Sequence, residues 1–94
     1  MDTLQGFMQK ALTKSDDDNP IDISSIITCY NNYIKENHPR VNRLDRRRLE
    51  HLISKIYGIK SIKDDCLTGY KFTKYVKKYN NNIDDIINEL NIKQ

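Results

Sequence analysis

Three consecutive arginines, Arg46, Arg47 and Arg48, follow Asp45 directly, and the residues after them run Leu49, Leu52, Ile53, Ile56 and Tyr57 before Gly58. That spacing predicts a helix over 45–57, with Gly58 just past its end. With Asp45 as N-cap, Leu44 and Leu49 form a hydrophobic staple and the arginines fill the first three helical positions. Cations there oppose the positive end of the helix dipole, at roughly 0.3–1 kcal/mol each when exposed. Stability gives no reason for three of them. An anion does, because free backbone N–H groups and guanidinium forks at a helix start can share one. At about 100° per residue the apolar stripe centres near Leu49 and Ile56, so Arg47, His51, Ser54 and Lys55 point the opposite way. The outward face is basic and hydrogen-bonding.

The charge of the whole chain supports a polyanion as the ligand. The formal net charge is only +3, yet residues 1–37 carry −3, residues 38–79 carry +8 and residues 80–94 carry −2. Less than half of the chain thus holds the basic charge, which is the electrostatic footprint expected of a nucleic-acid surface. Arg40 and Arg43 precede the arginine triplet, and Lys63, Lys71 and Lys74 follow the helix. The competing reading is a face of lysines that only keeps the protein in solution. Within a DNA site, the helix phase assigns Arg46 and Arg48 to phosphates, and Arg47 and His51 to base edges.

Other chemistry finds no support in the spacing. Cys29, His38, His51 and Cys66 contain no close chelating pair, so no metal site is expected. The acidic run Asp16–Asp17–Asp18 has neither the glycine turn nor the following glutamate of a calcium loop. Carboxylates cluster in loops and caps, no nucleophile–base arrangement can be argued, and neither catalysis nor a cofactor is expected. Tyr70, Tyr75 and Tyr79 alternate with Lys71, Lys74, Lys77 and Lys78. They either stack on unpaired bases or, as we prefer, pack the hairpin onto the helices.

The positioning elements follow from periodicity. Leu4, Phe7, Met8, Ala11 and Leu12 predict a first helix over about 2–14. Ser15 to Pro20 form a polar connection. Ile23, Ile26, Ile27, Tyr30, Tyr33 and Ile34 predict a second helix over 22–37, capped by Asp22 or Ser24 and stopped by Pro39. After the third helix the period changes, and Ile59–Lys63 and Leu67–Val76 read as the two strands of a hairpin turning at Asp64 and Asp65. Ile83, Ile86, Ile87 and Leu90 predict a last short helix with Asn82 as cap. So short a helix needs a packing surface, either its own domain or a second copy of the chain, which leaves a homodimer open.

The expected architecture is therefore a small α+β domain, mainly helical: three helices, a two-stranded wing and an extra C-terminal helix, the domain occupying 1–79 and the extension 80–94. Three helices followed by a hairpin, with the basic helix immediately before it, is the winged helix-turn-helix order. The quoted residues also resemble something narrower. Leu4, Phe7 and Met8, the helix around Tyr30-Asn31-Asn32-Tyr33 ending in Asn37-His38-Pro39, Leu44-Asp45 leading to Leu49, Leu52 and Tyr57-Gly58, and Gly69-Tyr70-Lys71-Phe72 resemble the C-terminal winged-helix module of viral, phage and plasmid primase-helicases. The resemblance covers about residues 4–73. It implies DNA binding at an origin or a forked template. It implies no catalysis, since the only glycines are Gly6, Gly58 and Gly69 and no phosphate-binding loop of the helicase type is present.

Two functions of different class remain from the sequence: a DNA-binding module, double-stranded DNA being favoured over forked or single-stranded, and a protein-interaction module docking an acidic partner. The arginine triplet favours DNA, because protein interfaces are depleted of charge at their centre. No apolar run is long enough to span a bilayer and none near Met1 resembles a secretion signal, so no membrane partner and an intracellular location are expected.

Overall fold

The computed structural model describes residues 3–80, and these build a small α+β arrangement of three helices and two small antiparallel sheets. The first helix, α1, is Thr3–Ala11. Its stripe of Leu4, Phe7, Met8 and Ala11 is wholly buried, as the three-and-four spacing requires. It ends three residues earlier than its period suggests. Leu12–Lys14 leave the helix as strand β1, which keeps Leu12 buried while Thr13 and Lys14 pair outward with a strand far along the chain.

After the exposed acidic loop, Ile21–Asp22 form a two-residue strand, β2, and α2 spans Ile23–Asn37. The Asp22 carboxylate accepts a hydrogen bond from the Ser24 amide at 2.8 Å, so Asp22 is the cap. The helix stops where Pro39 forbids continuation, and the His38 amide closes the last turn on the Ile34 carbonyl at 2.7 Å. The third helix, α3, is Arg46–Tyr57. Gly58 ends it at φ +93°, a conformation that L side chains rarely adopt.

The expected hairpin is present but much shorter than the spans 59–63 and 67–76. A 3-10 turn, Ile59–Ser61, follows α3; only Ile62–Lys63 (β3) and Cys66–Leu67 (β4) pair as the hairpin. Its two-residue connection is Asp64–Asp65, both at positive φ (53° and 61°), as a type I′ turn demands. β2 adds to the other side of β4, giving the order β2-β4-β3. The remainder of the expected second strand is divided. Gly69, at φ +82°, redirects the chain, and Tyr70–Phe72 (β5) pairs with β1 instead. Thr73 then caps a second 3-10 turn, Lys74–Lys78, which buries Val76. After these breaks both Val76 and Tyr79 reach the core. The expected helix at 83–90 lies outside the described residues.

One hydrophobic core joins the helices and strands, from Leu4 and Phe7 of α1 to Ile26 and Ile34 of α2, Leu49 and Ile53 of α3, and Leu67 of β4. Phe7 is the centre of an aromatic cluster, with ring centroids of Tyr30, Tyr33, Tyr75 and Tyr79 4.9–6.3 Å away. Burial, followed by its contacts with Tyr79 and Tyr33, pushes the Tyr75 phenol up to about 12. Tyr75 and Tyr79 pack on the helices as expected, though from the second 3-10 turn and its end rather than from a hairpin strand.

Candidate nucleic-acid interface

The start of α3 is fixed by four hydrogen bonds, two of them local. Asp45 accepts from the Arg48 amide at 2.8 Å, and the Leu49 amide donates to the Asp45 carbonyl at 3.0 Å. The other two are long-range bonds the sequence did not disclose: the Asn31 side chain of α2 clamps the Leu44 backbone in both directions, donating to its carbonyl at 3.1 Å and accepting from its amide at 3.2 Å. Asn31 thus holds the residue before the cap against α2, which sets the direction in which α3 leaves. Leu44 and Leu49 pack into or against the core, as a staple should.

Against that frame the three arginines separate. Arg46 turns inward toward the neighbouring elements, donating to Ser24 Oγ at 2.9 Å and pairing with Asp65 of the hairpin turn at 3.5 Å. It joins the starts of α2 and α3 to the hairpin tip, a role that sits beside the phosphate contact expected of it. Arg47 and Arg48 are exposed and have no ion pair among the described residues. With Asp45 and His51 they line an open recess of about 390 Å³ at the helix start. The Arg46 and Arg47 amides, which by helix geometry lack an intrahelical acceptor, have no partner among the described residues.

Arg47, His51 and Lys55 stand at i, i+4 and i+8 and are all exposed, so they form one basic line running from the recess along the helix. Ser54 is half-buried beside that line and donates its hydroxyl to the Glu50 carbonyl at 2.9 Å, which leaves only its lone pairs for a ligand. Arg40 and Arg43 are exposed in the loop between α2 and α3, which the Val41 amide bond to the His38 carbonyl tightens at 2.9 Å. Lys63 is exposed on β3, next to the turn. The tip itself is Asp64–Asp65, so the cation nearest it, Lys63, stands beside two acids.

Lys71 and Lys74 fall elsewhere. Lys71 lies on β5, opposite Thr13 of β1, and Lys74 opens the second 3-10 turn; neither belongs to the hairpin. The physical reason is the register: Gly69 turns β5 away from β4 before Lys71 is reached. Of the eleven residues expected in the site, the structure brings Arg47, Arg48 and His51 together around one recess on α3, with Lys55 further along the same helix; Arg40 and Arg43 lie in the preceding loop and Lys63 on the hairpin. Among the described residues no cluster of three or more metal-ligating side chains occurs, and no helix is long and apolar enough to cross a membrane. No family model, curated protein or solved structure matches the chain.

Proposed function

We propose that this protein is a winged-helix DNA-binding module that places α3 in the major groove of a duplex. The observation that carries the reading is the recess at the start of α3, where Arg47 and Arg48 stand exposed, unpaired by acids among the described residues, and opposed to the dipole of their own helix. A phosphate seated there meets two guanidinium forks and two free amides at once. Arg47 is thereby given to phosphate rather than to a base edge, while His51 and Lys55 face the groove, Arg40 and Arg43 reach backbone on one flank, and Lys63 on the other.

The order of the elements supports the fold assignment. A strand before the second helix, β2, pairs with β4 of the hairpin, and the Arg46–Asp65 pair ties the hairpin turn to the start of α3. The acidic tip makes this a short wing whose backbone contact comes from Lys63. The resemblance to primase-helicase C-terminal modules, carried by the residues quoted from the sequence, points to a replication origin or a fork as the setting. A role in transcription fits the same surface.

Titration of labelled duplex, forked and single-stranded DNA at two salt concentrations tests the reading. With about five phosphates neutralised, log affinity for duplex falls against log salt with a slope of roughly −4 to −5. An affinity that does not respond to salt, or no affinity for duplex at all, rejects it. The second reading, docking of an acidic protein, is carried by the same charge and gains ground if only that result is obtained.

A further inference from the structure

The turn of the hairpin is held at the start of α2 by its own backbone: the Ile23 amide, the first of that helix, donates to the Asp65 carbonyl at 3.0 Å. Arg46, the first residue of α3, reaches the same place. Three carboxylates stand at or next to this junction, and two of them are committed. Asp22 accepts from the Ser24 amide and Asp45 from the Arg48 amide, each at 2.8 Å, as helix caps. The Asp65 carboxylate caps nothing. Its partner is the Arg46 guanidinium at 3.5 Å, with the two side chains 46% and 65% exposed. At that distance and exposure the pair is weak and open to exchange.

The guanidinium itself is already aimed. Arg46 Nη1 donates to Ser24 Oγ at 2.9 Å, which steadies the fork while Nη2 faces Asp65. A carboxylate and a phosphodiester offer such a fork the same unit charge and the same pair of acceptor oxygens. Arg46 also opens the turn that carries Arg47 and Arg48, with only about 3 Å of helix rise across the three residues. A DNA strand that reaches the recess therefore runs past Arg46 as well.

We propose that the Asp65 carboxylate stands in for a DNA phosphate on Arg46, and that duplex binding exchanges one for the other; this rests on the reading of α3 as the DNA site. The exchange needs only the rotation of one exposed side chain, because the Asp65 backbone stays on the Ile23 amide. Once Arg47 and Arg48 hold the strand, the neighbouring phosphate meets Arg46 intramolecularly, at a high effective concentration, and displaces a loosely held carboxylate. Until then Asp65 neutralises Arg46. The start of α3 thus presents two free guanidiniums to a chance anion and three to a continuous phosphate backbone.

The test measures duplex affinity by fluorescence anisotropy for the full chain carrying Asp65→Asn or Asp64→Asn, each alone and with Arg46→Gln. Both positions have positive φ, which Asn tolerates, so both variants keep the turn. Asp64 is the control: its loss changes the charge equally one residue away, and it pairs with no cation among the described residues. Asp65→Asn should melt within about 2 °C of wild type. It should tighten binding about tenfold near 100 mM salt, the charge effect of two- to fivefold shared with Asp64→Asn being multiplied by about threefold for the release of Arg46. With Arg46→Gln that extra factor should vanish, leaving the two Asn variants within about twofold of each other, and the salt slope should shrink by about 0.9. Equal gains from the two acids with Arg46 present overturn the proposal, since Asp65 then acts only through its charge. So does an extra Asp65→Asn gain that survives Arg46→Gln, and so does a Tm lowered by more than about 5 °C in Asp65→Asn, which makes the pair a structural strut. Failure of the α3 reading shows differently, as an Arg47→Ala/Arg48→Ala variant that binds duplex as tightly as wild type.

Discussion

Removing Arg47 and Arg48 together should make the protein more stable and worse at binding DNA. Both side chains are exposed at the positive end of α3, where each cation costs roughly 0.3–1 kcal/mol. The Asp45 carboxylate, which lines the same recess, screens part of that repulsion, so the lower half of the range applies. Arg47→Ala/Arg48→Ala should then gain about 0.6–1 kcal/mol, which raises Tm by about 3–6 °C in a domain of this size. Arg46 is left in place deliberately, since it donates to Ser24 and pairs with Asp65, and its loss would mix a broken link with a relieved dipole. Against DNA the same change removes two phosphate contacts. The salt slope should shrink by about 1.8, and affinity near 100 mM salt should fall by about tenfold or more. Thermal melting followed by circular dichroism, paired with fluorescence anisotropy on a labelled duplex, reads both quantities on one sample. A lowered Tm with unchanged DNA affinity would refute the reasoning, because these arginines would then be holding the domain together.

Four further outcomes follow from particular contacts. Asn31→Ala should cost about 1–3 kcal/mol, measured by urea unfolding, because it strips both partners from the part-buried Leu44 backbone; Asn31→Asp, keeping only the acceptor, should fall between it and wild type. Gly58→Ala should cost about 1–3 kcal/mol although an added Cβ meets nothing within 4 Å, since the whole penalty is the backbone at φ +93°; a neutral melting temperature would contradict this. Asp64→Asn keeps a side chain that tolerates the left-handed region and removes one negative charge from the wing tip, so duplex affinity at low salt should rise roughly two- to fivefold, and the gain should fade as salt increases. Burial raises the Cys29 thiol from 9.0 to about 11, so a thiol reagent near neutral pH should modify the half-buried Cys66 in the native protein and reach Cys29 only on unfolding.

The sequence by itself determined whatever depends on neighbours within one helical turn. The stripes of α1, α2 and α3, the caps at Asp22 and Asp45, the stop at Pro39, the break at Gly58 and the turn at Asp64–Asp65 are all local arrangements, and each stands at or within a few residues of where its pattern puts it. The exposure of the arginines at the start of α3 was legible for the same reason: a cap and a helical phase suffice to point them outward. Partner choice was not legible. Strands of two or three residues carry too few positions to show an alternation, so β1 and β2 left no signal, and nothing local says that β5 will abandon β4 for β1. Only the assembled structure could place Asn31 on Leu44, Arg46 on Asp65, or Lys10 and Lys78 over Tyr75. The Asn31–Leu44, Arg46–Asp65 and Lys10–Tyr75 contacts join residues 13, 19 and 65 positions apart, and such contacts are selected by how the apolar stripes of the elements close over one core, which no single segment encodes.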